Sequence, residues 1–370
     1  SFPIKFYIKE EKRKMKKKIL ALAAASVLAI GMLAGCGAKQ QEAAPAEEKK
    51  EEAAAEAAVE EAVVEAAVEE VVEEAAVEAV VEEALTCKIA LIHQHMTNSF
   101  QIAVTEGADA KAEELGVELV HFDAGQDAST QIGQIEQCIA EGYDAIIFEP
   151  VDPAGLVDAA KKVMDAGIYC VNFSSTIEGW DKIVNGYAGA SNEEAGEVEM
   201  QQVADLIGGK GKICILTGPD GDSGGLLRYK GYTNILEKYP DIEIIAEAAA
   251  DWDTVKGQEK AENWLIAFDQ IDAIVCENDG MAVGAGNAAG ADSGIVITGV
   301  DASEDGLEAI GDGRQTGTVS QDAGEQGGLA VQMAYDLCTG KLSGLGNSAT
   351  VTNVWVDASN LEDYKAGKLK

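Results

Sequence analysis

Residues 87–370 predict an α/β protein built as two doubly wound, Rossmann-like lobes. Short apolar runs alternate with longer amphipathic stretches along this part of the chain, the pattern of parallel strands covered by helices. The alternation runs as two series, the second starting after Asn192. Glycines punctuate it, with Gly116 and Gly167 just past the ends of helical patterns.

Taken in order, Lys88 to Ile92 reads as a buried strand, and Phe100 to Leu115 as an amphipathic helix stopped by Gly116. A strand over 117–122, a helix over 131–140 and a strand over 145–148 follow. The next helix spans 153–166, with Pro153 near its start and Gly167 beyond its end. A strand over 169–173 closes the first series. In the second, helices over 192–207, 226–238, 254–267 and 280–289 alternate with strands over 212–217, 242–247, 273–276 and 295–299.

Ligands of doubly wound sheets sit beyond the carboxyl ends of the strands, so the residues after each strand carry the functional information. Gln94, His95, Asn98 and Phe100 follow the first strand, and Ser174 and Ser175 follow the strand at 169–173. Arg228, Asp251-Trp252-Asp253, Asn278-Asp279, Asp301 and Gln321 come later. Amides, an arginine, carboxylates and two aromatics suit a sugar. Planar polar groups bind vicinal hydroxyls in pairs, and rings cover the apolar face of a pyranose or furanose. Each residue also has a plainer explanation. Asn278 and Asp301 could cap helices, Trp252 and Phe100 could be core, and Arg228 could sit on a helix surface. His93-Gln94-His95 places two imidazoles on one strand face but has no third metal ligand nearby. The segment 217–225 is glycine-rich but lacks both G-x-G-x-x-G and a P-loop lysine, so it reads as an interlobe loop.

The chain resembles the ribose/galactose-type periplasmic sugar-binding proteins, the substrate-binding components of ABC sugar importers. The resemblance covers 88–357. It is carried, in order, by Ile89-Ala90-Leu91-Ile92 with Asn98-Ser99-Phe100, Ala145 to Pro150 with Asp152, Arg228-Tyr229-Lys230-Gly231, Ala250-Asp251-Trp252-Asp253, Glu277 to Ala282, Gly299-Val300-Asp301, and Thr318-Val319-Ser320-Gln321. It implies a type I periplasmic binding protein fold with two lobes joined by a three-stranded hinge. Lobe 1 would span about 87–189 and 322–350, and lobe 2 about 190–321 and 351–370. It further implies ligand contacts from Arg228, Asn278, Asp301 and Gln321, stacking by Trp252 and Phe100, and a polar contact from Asn98. One departure is local. Ribose binders carry an Asp-Arg pair after the strand at 169–173, where this chain has Ser174-Ser175. Losing those charge-assisted bonds argues against ribose, and Gln94, His95 and Ser174 become the candidate first-lobe contacts.

Upstream, Lys16-Lys17-Lys18, the apolar run Ile19 to Leu33, and Leu33-Ala34-Gly35-Cys36 resemble a bacterial lipoprotein signal. The expectation is a start at Met15 preceded by an upstream segment (1–14), a signal peptide over 15–35, and lipid anchoring to the membrane through Cys36. Residues 36–86 form a stalk of Ala, Val and Glu. Glutamates recur at steps of three and four from Glu56 to Glu83, which fits either a helix of about 50 Å for Ala53–Leu85 at ~1.5 Å per residue or a disordered acidic tether.

The net charge is −37, of which residues 87–370 carry −30. Such a domain repels phosphate backbones, which excludes a nucleic-acid role. Of seven cysteines, Cys170, Cys214 and Cys276 lie in apolar runs. Cys87, Cys138 and Cys338 show no metal spacing, and export permits disulfides without specifying a pair. The expected function is capture of a monosaccharide between the lobes by a monomeric, extracytoplasmic, lipid-anchored protein. It would deliver that sugar to ABC permease subunits, with no catalysis, cofactor or metal. The alternative is a sensor presenting a sugar or autoinducer to a receptor. A lactose-repressor-type regulator would need a helix-turn-helix and a basic face, and a Rossmann dehydrogenase would need its glycine fingerprint; this sequence has neither.

Overall fold

The structure, a computed structural model, describes residues 87–369. The expected signal peptide, Cys36 and the expected stalk lie outside the described residues.

Two six-stranded sheets organise the chain. The first is built from β1 (Lys88–His93), β2 (Glu118–Asp123), β3 (Ala145–Phe148), β4 (Tyr169–Phe173), β5 (Gly186–Ala190) and β11 (Asn347–Val351), in the order β11-β5-β4-β3-β1-β2, all parallel. The second holds β6 (Lys210–Thr217), β7 (Asp241–Ala249), β8 (Ala273–Cys276), β9 (Val296–Asp301), β10 (Gly317–Ser320) and β12 (Val354–Asp357), in the order β12-β10-β9-β8-β6-β7. Only β12 runs antiparallel to its neighbour. In each sheet the order reverses around the first strand, β1 or β6. That reversal opens a crevice at its carboxyl end.

Helices α1 (Ser99–Leu115), α2 (Ala128–Glu141), α3 (Val157–Asp165) and α9 (Ala323–Cys338) cover the first sheet. Strand periodicity decides which face each takes. Ile89 and Leu91 pack towards α1 and α9, while Ala90 and Ile92 pack towards α2 and α3. The second sheet repeats this with α4 (Asn192–Leu206) and α5 (Ser223–Leu236) on one face, and α6 (Thr254–Ala267) and α7 (Asp279–Ala289) on the other. Helices α8 (Glu304–Gly311) and α10 (Leu361–Lys365) complete that side. Small residues set the closest approach. A Cβ on Gly107 of α1 would fall 1.9 Å from the carbonyl oxygen of Gly324 on α9.

The chain passes between the sheets after β5, after β10 and after β11. Cys87 and Cys338 form a disulfide between the start of β1 and the end of α9, with Cα atoms 6.4 Å apart. Cys138, Cys170, Cys214 and Cys276 are buried free thiols.

Several elements depart from expectation, each for a local reason. α2 and α5 begin three residues early because Asp127 and Asp222 cap them, accepting from the amides of Thr130 and Gly225. α3 begins at Val157, not at Pro153, because the Asp152 carboxylate accepts from the amides of Ala154 and Gly155 and holds a turn. β5, with the sequence Gly-Tyr-Ala-Gly-Ala, has no β-branched residue or polar alternation to announce it.

Candidate ligand-binding site

A pocket of about 400 Å³, counting space open to solvent, lies between the two sheets at their carboxyl ends. The sequence-predicted residues Gln94, Asn98, Phe100, Ser174, Arg228, Trp252, Asn278 and Asp301 all line it. So do His95 and Ser175, together with three side chains that sequence reasoning did not single out: Gln101, Glu149 and Asp222. Gln321 is the exception. It is buried behind the lining, where its Oε1 accepts from Arg228 Nη2 at 2.7 Å.

Arg228 is the most constrained of these groups. It projects from α5 and is 6% exposed. Its Nε donates to Asn192 Oδ1 at 3.1 Å, Nη1 donates to the Glu277 carbonyl, and Nη2 donates to Gln321. Three of its five N–H bonds are therefore spent on the scaffold, and two remain for a ligand. The guanidinium also lies 5.6 Å from the centroid of the Trp252 ring. Trp252 fits because residue 218 is glycine, where a Cβ would meet the indole at 2.1 Å.

Asn98 and Asn278 are both caps and lining residues. Their side-chain oxygens accept from the amides of Gln101 and Met281 at helix starts that line the pocket, and Asn278 Nδ2 also donates to the Trp252 carbonyl at 3.4 Å, which leaves it one further N–H. Ser174, Trp252 and Asp301 have φ of 57°, 62° and 126°. Left-handed backbone at three non-glycine lining positions is strain concentrated at a site.

The carboxyl groups of the pocket are short of water. Burial pushes Asp301 well above the usual carboxylate range, partly countered by Arg228. Burial, with the nearby Asp222, pushes Glu149 up to about 7. Gln101 Nε2 lies 2.5 Å from Glu149 Oε2.

Several hydrogen bonds join the lobes directly; in one, Asn192 Nδ2 donates to the Ser174 carbonyl at 3.0 Å. Gln94 Nε2, which also donates to the Pro150 carbonyl, donates to Asp222 Oδ2 at 3.0 Å. Ser99 Oγ donates to Asp305 Oδ2 at 2.8 Å, and the Thr176 amide donates to Ser223 Oγ at 3.1 Å. The lobes are thus closed on the pocket. Among the described residues, no group of three or more His, Cys, Asp or Glu side chains is placed to hold a metal ion, and no helix is long and apolar enough to cross a membrane.

Residues 89–342 match the periplasmic binding protein domain family. The chain belongs to this family. It is 39% identical over 237 residues to a xylitol-binding protein of Mycolicibacterium smegmatis, covering 61% of this chain and 67% of that one. It is 35% identical over 235 residues to a putative rhizopine-binding protein of Rhizobium meliloti, covering 61% and 76%. Among solved structures, an ABC transporter solute-binding protein from Bacillus halodurans with bound myo-inositol superposes with a TM-score of 0.72. That pair is 30% identical, and the alignment covers 76% of this chain and 98% of the other. The type I periplasmic binding protein fold expected from the sequence is the one observed. Membership of the family implies an extracytoplasmic solute-binding domain.

Gln101, Glu149 and Asp222 escaped sequence reasoning for a common reason. Each sits where a polar residue has an ordinary explanation: the first turn of a helix, the residue after a four-residue apolar strand, and a helix cap. Glu149 did carry a signal, an acid directly after Ala145–Phe148 in a position that the sheet buries.

Proposed function

We propose that this protein captures a small polyhydroxylated solute, a monosaccharide or sugar alcohol, between its lobes and presents it to the permease of an ABC importer. The observation that carries this reading is the composition of the interlobe pocket. Carboxylates, amides and one arginine converge from both lobes on a space flanked by Phe100 and Trp252. Hydroxyls donate to Glu149 and Asp301 and accept from Arg228, Asn98 and Asn278, while the aromatic rings cover C–H faces. Ser174 and Gln94 complete the first-lobe side, and Gln321 acts through Arg228. Relatives that bind xylitol and myo-inositol favour an uncharged polyol, with or without a ring.

Both lobes touch the ligand, so binding favours the closed arrangement that a permease reads. The division into lobes at 189–190, 321–322 and 350–351, a monomeric state and a lipid on Cys36 form part of the same reading. The lipid is supported by the Leu33-Ala34-Gly35-Cys36 sequence.

Thermal unfolding against xylitol, myo-inositol, D-ribose, D-allose and D-arabinose tests it. A ligand at 100 times its Kd stabilises a binder by about 2.7 kcal/mol. A shift with one of them that disappears in Asp301→Ala is expected. A panel without any shift, followed by one with a nucleoside or amino acid, would move the site out of the polyol class.

A further inference from the structure

A line of hydrogen bonds runs from the protein surface to the pocket and is absorbed by nothing above. Asp109 on α1 is 60% exposed in its side chain, and its Oδ1 meets His121 Nε2 at 2.9 Å. His121 Nδ1 meets His93 Nε2 at 3.0 Å. His93 Nδ1 meets Gln101 Oε1 at 2.9 Å, and the far end of that amide meets Glu149 in the pocket. His93 and Gln101 are buried.

Donors and acceptors along this line obey a parity rule. An ionised Asp109 only accepts, so His121 must carry its proton on Nε2. If His121 is neutral, its Nδ1 accepts, and His93 must be protonated on Nε2. His93 Nδ1 then accepts, so the Gln101 amide must turn its NH₂ towards it and its oxygen towards Glu149. That oxygen is satisfied only if Glu149 carries a proton. Run the other way, an ionised Glu149 takes the Gln101 NH₂, the amide oxygen takes a proton on His93 Nδ1, and His93 Nε2 accepts from a doubly protonated His121. With neither end protonated, one junction must place two acceptors face to face at hydrogen-bond distance.

We propose that Asp109, His121, His93 and Gln101 are positioning residues that hold one proton in common with Glu149, so that Glu149 offers a ligand either the neutral carbonyl oxygen of an acid or a charged carboxylate oxygen according to where that proton sits. Both satisfied states hold the same number of protons. Passing from one to the other breaks the O–H bond of Glu149, forms an N–H bond at His121 Nδ1, moves the His93 proton from Nε2 to Nδ1 and rotates the amide. The amide carries no proton, and exchange with water supplies the path. Burial holds His93 down to about 4, so it stays neutral and the extra proton belongs at an end. Burial also raises Glu149 to about 7, which suits it as one end. The other groups facing His93 are Asp123, His95 and the edge of Phe173. Those facing Glu149 are Asp222, Asp301, Tyr187, the Ser174 side chain and the Gln94 backbone. A polyol hydroxyl donates more strongly to a carboxylate than to the carbonyl oxygen of the acid, so its binding favours the ionised form of Glu149 and shifts the proton to His121. This ligand half rests on the polyol-binding function proposed above.

The test is histidine ¹⁵N spectroscopy with a potentiometric proton count on the full chain at pH 7.5, helped by the presence of only three histidines. Wild type is compared with Asp109→Asn and Glu149→Gln. An amide at either end can rotate to offer whichever atom the line needs, so each substitution removes the conflict without a proton. Both variants are expected to hold up to one proton fewer than wild type across His93, His121 and residue 149. Asp109→Asn decides the matter because it leaves every pocket side chain in place. Burial of Glu149 alone predicts no proton loss there, and an unchanged count overturns the proposal. Saturation with whichever of myo-inositol or xylitol binds should convert His121 to imidazolium, with loss of its bare-nitrogen resonance. Binding without that change overturns the coupling. If neither binds, it is the polyol function that fails, and the ligand-free Asp109→Asn comparison still decides the relay.

Discussion

Arg228→Lys keeps the charge and removes the fork. In the structure the guanidinium serves three separate buried acceptors: Asn192 Oδ1, the Glu277 carbonyl and Gln321 Oε1. An ammonium is a single donor centre and cannot span that spread. At least one acceptor is left unpaired, at about 1–3 kcal/mol each, so folding stability falls by roughly 1–6 kcal/mol if one or two are lost. The two N–H bonds facing the pocket are lost as well. At about 1.5–3 kcal/mol for each hydrogen bond from a charged group, the two together lower affinity for the bound polyol by roughly 100- to 20,000-fold, taking 1.4 kcal/mol per decade. Urea unfolding with an unchanged m-value measures the first effect, and isothermal titration calorimetry the second. A variant with wild-type midpoint and a Kd within threefold of wild type would refute the reasoning. It would mean that the three scaffold bonds do not hold the arginine in place.

Asp222→Ala removes a buried cross-cleft bond, with Gln94, and the cap of α5. Small-angle scattering of the ligand-free protein should show a more open form, and stability should drop by about 1–2 kcal/mol from the lost cap and bond; an unchanged scattering profile would sink the latch. Stability should be greatest in mildly acidic solution. Burial raises Glu149 and Glu199 to about 7, Glu277 to about 8 and Asp279 to about 6. The folded chain therefore keeps protons that the unfolded chain has released above its ordinary carboxylate pKa, and stability falls as pH rises from about 4.5 to 8. His93, lowered to about 4, acts oppositely between pH 6.5 and 4, but it is outnumbered. Denaturant midpoints should therefore be higher at pH 5.5 than at pH 8 by the equivalent of a few kcal/mol, and a flat or reversed profile would contradict the assigned burial. Reducing Cys87–Cys338, which closes a sequence separation of 251 residues, should cost about 2–5 kcal/mol. Thermal unfolding with and without reductant reads this directly, and equal melting temperatures would show that the bond adds nothing.

Much of the architecture could be read locally. The strands at 88–93 and 145–148 are continuous apolar runs, and Gly116 takes the left-handed C-cap that ends α1. Position after a strand was enough to pick out Gln94, Ser174 and Asp301 as pocket residues. Elements whose stability is not local were harder to see. β5 is made of small residues and exists because β4 and β11 pair with it on either side. β12 exists because β10 offers it an edge, with which it pairs antiparallel.

On its own, then, the sequence determined the alternating α/β pattern, the two series, the acidic charge and most of the residues that face the pocket. Each of these follows from spacing and chemistry within a few residues. Tertiary structure alone decided which distant groups become partners. It placed Gln321 behind Arg228, although 93 positions separate them, and so made it a support for the arginine. It paired Cys87 with Cys338, and it brought Asp109, His121, His93 and Gln101 into line with Glu149. Side-chain hydrogen bonds reach only about 3 Å, so a partner is defined by the packing of strands and helices and not by its distance along the chain.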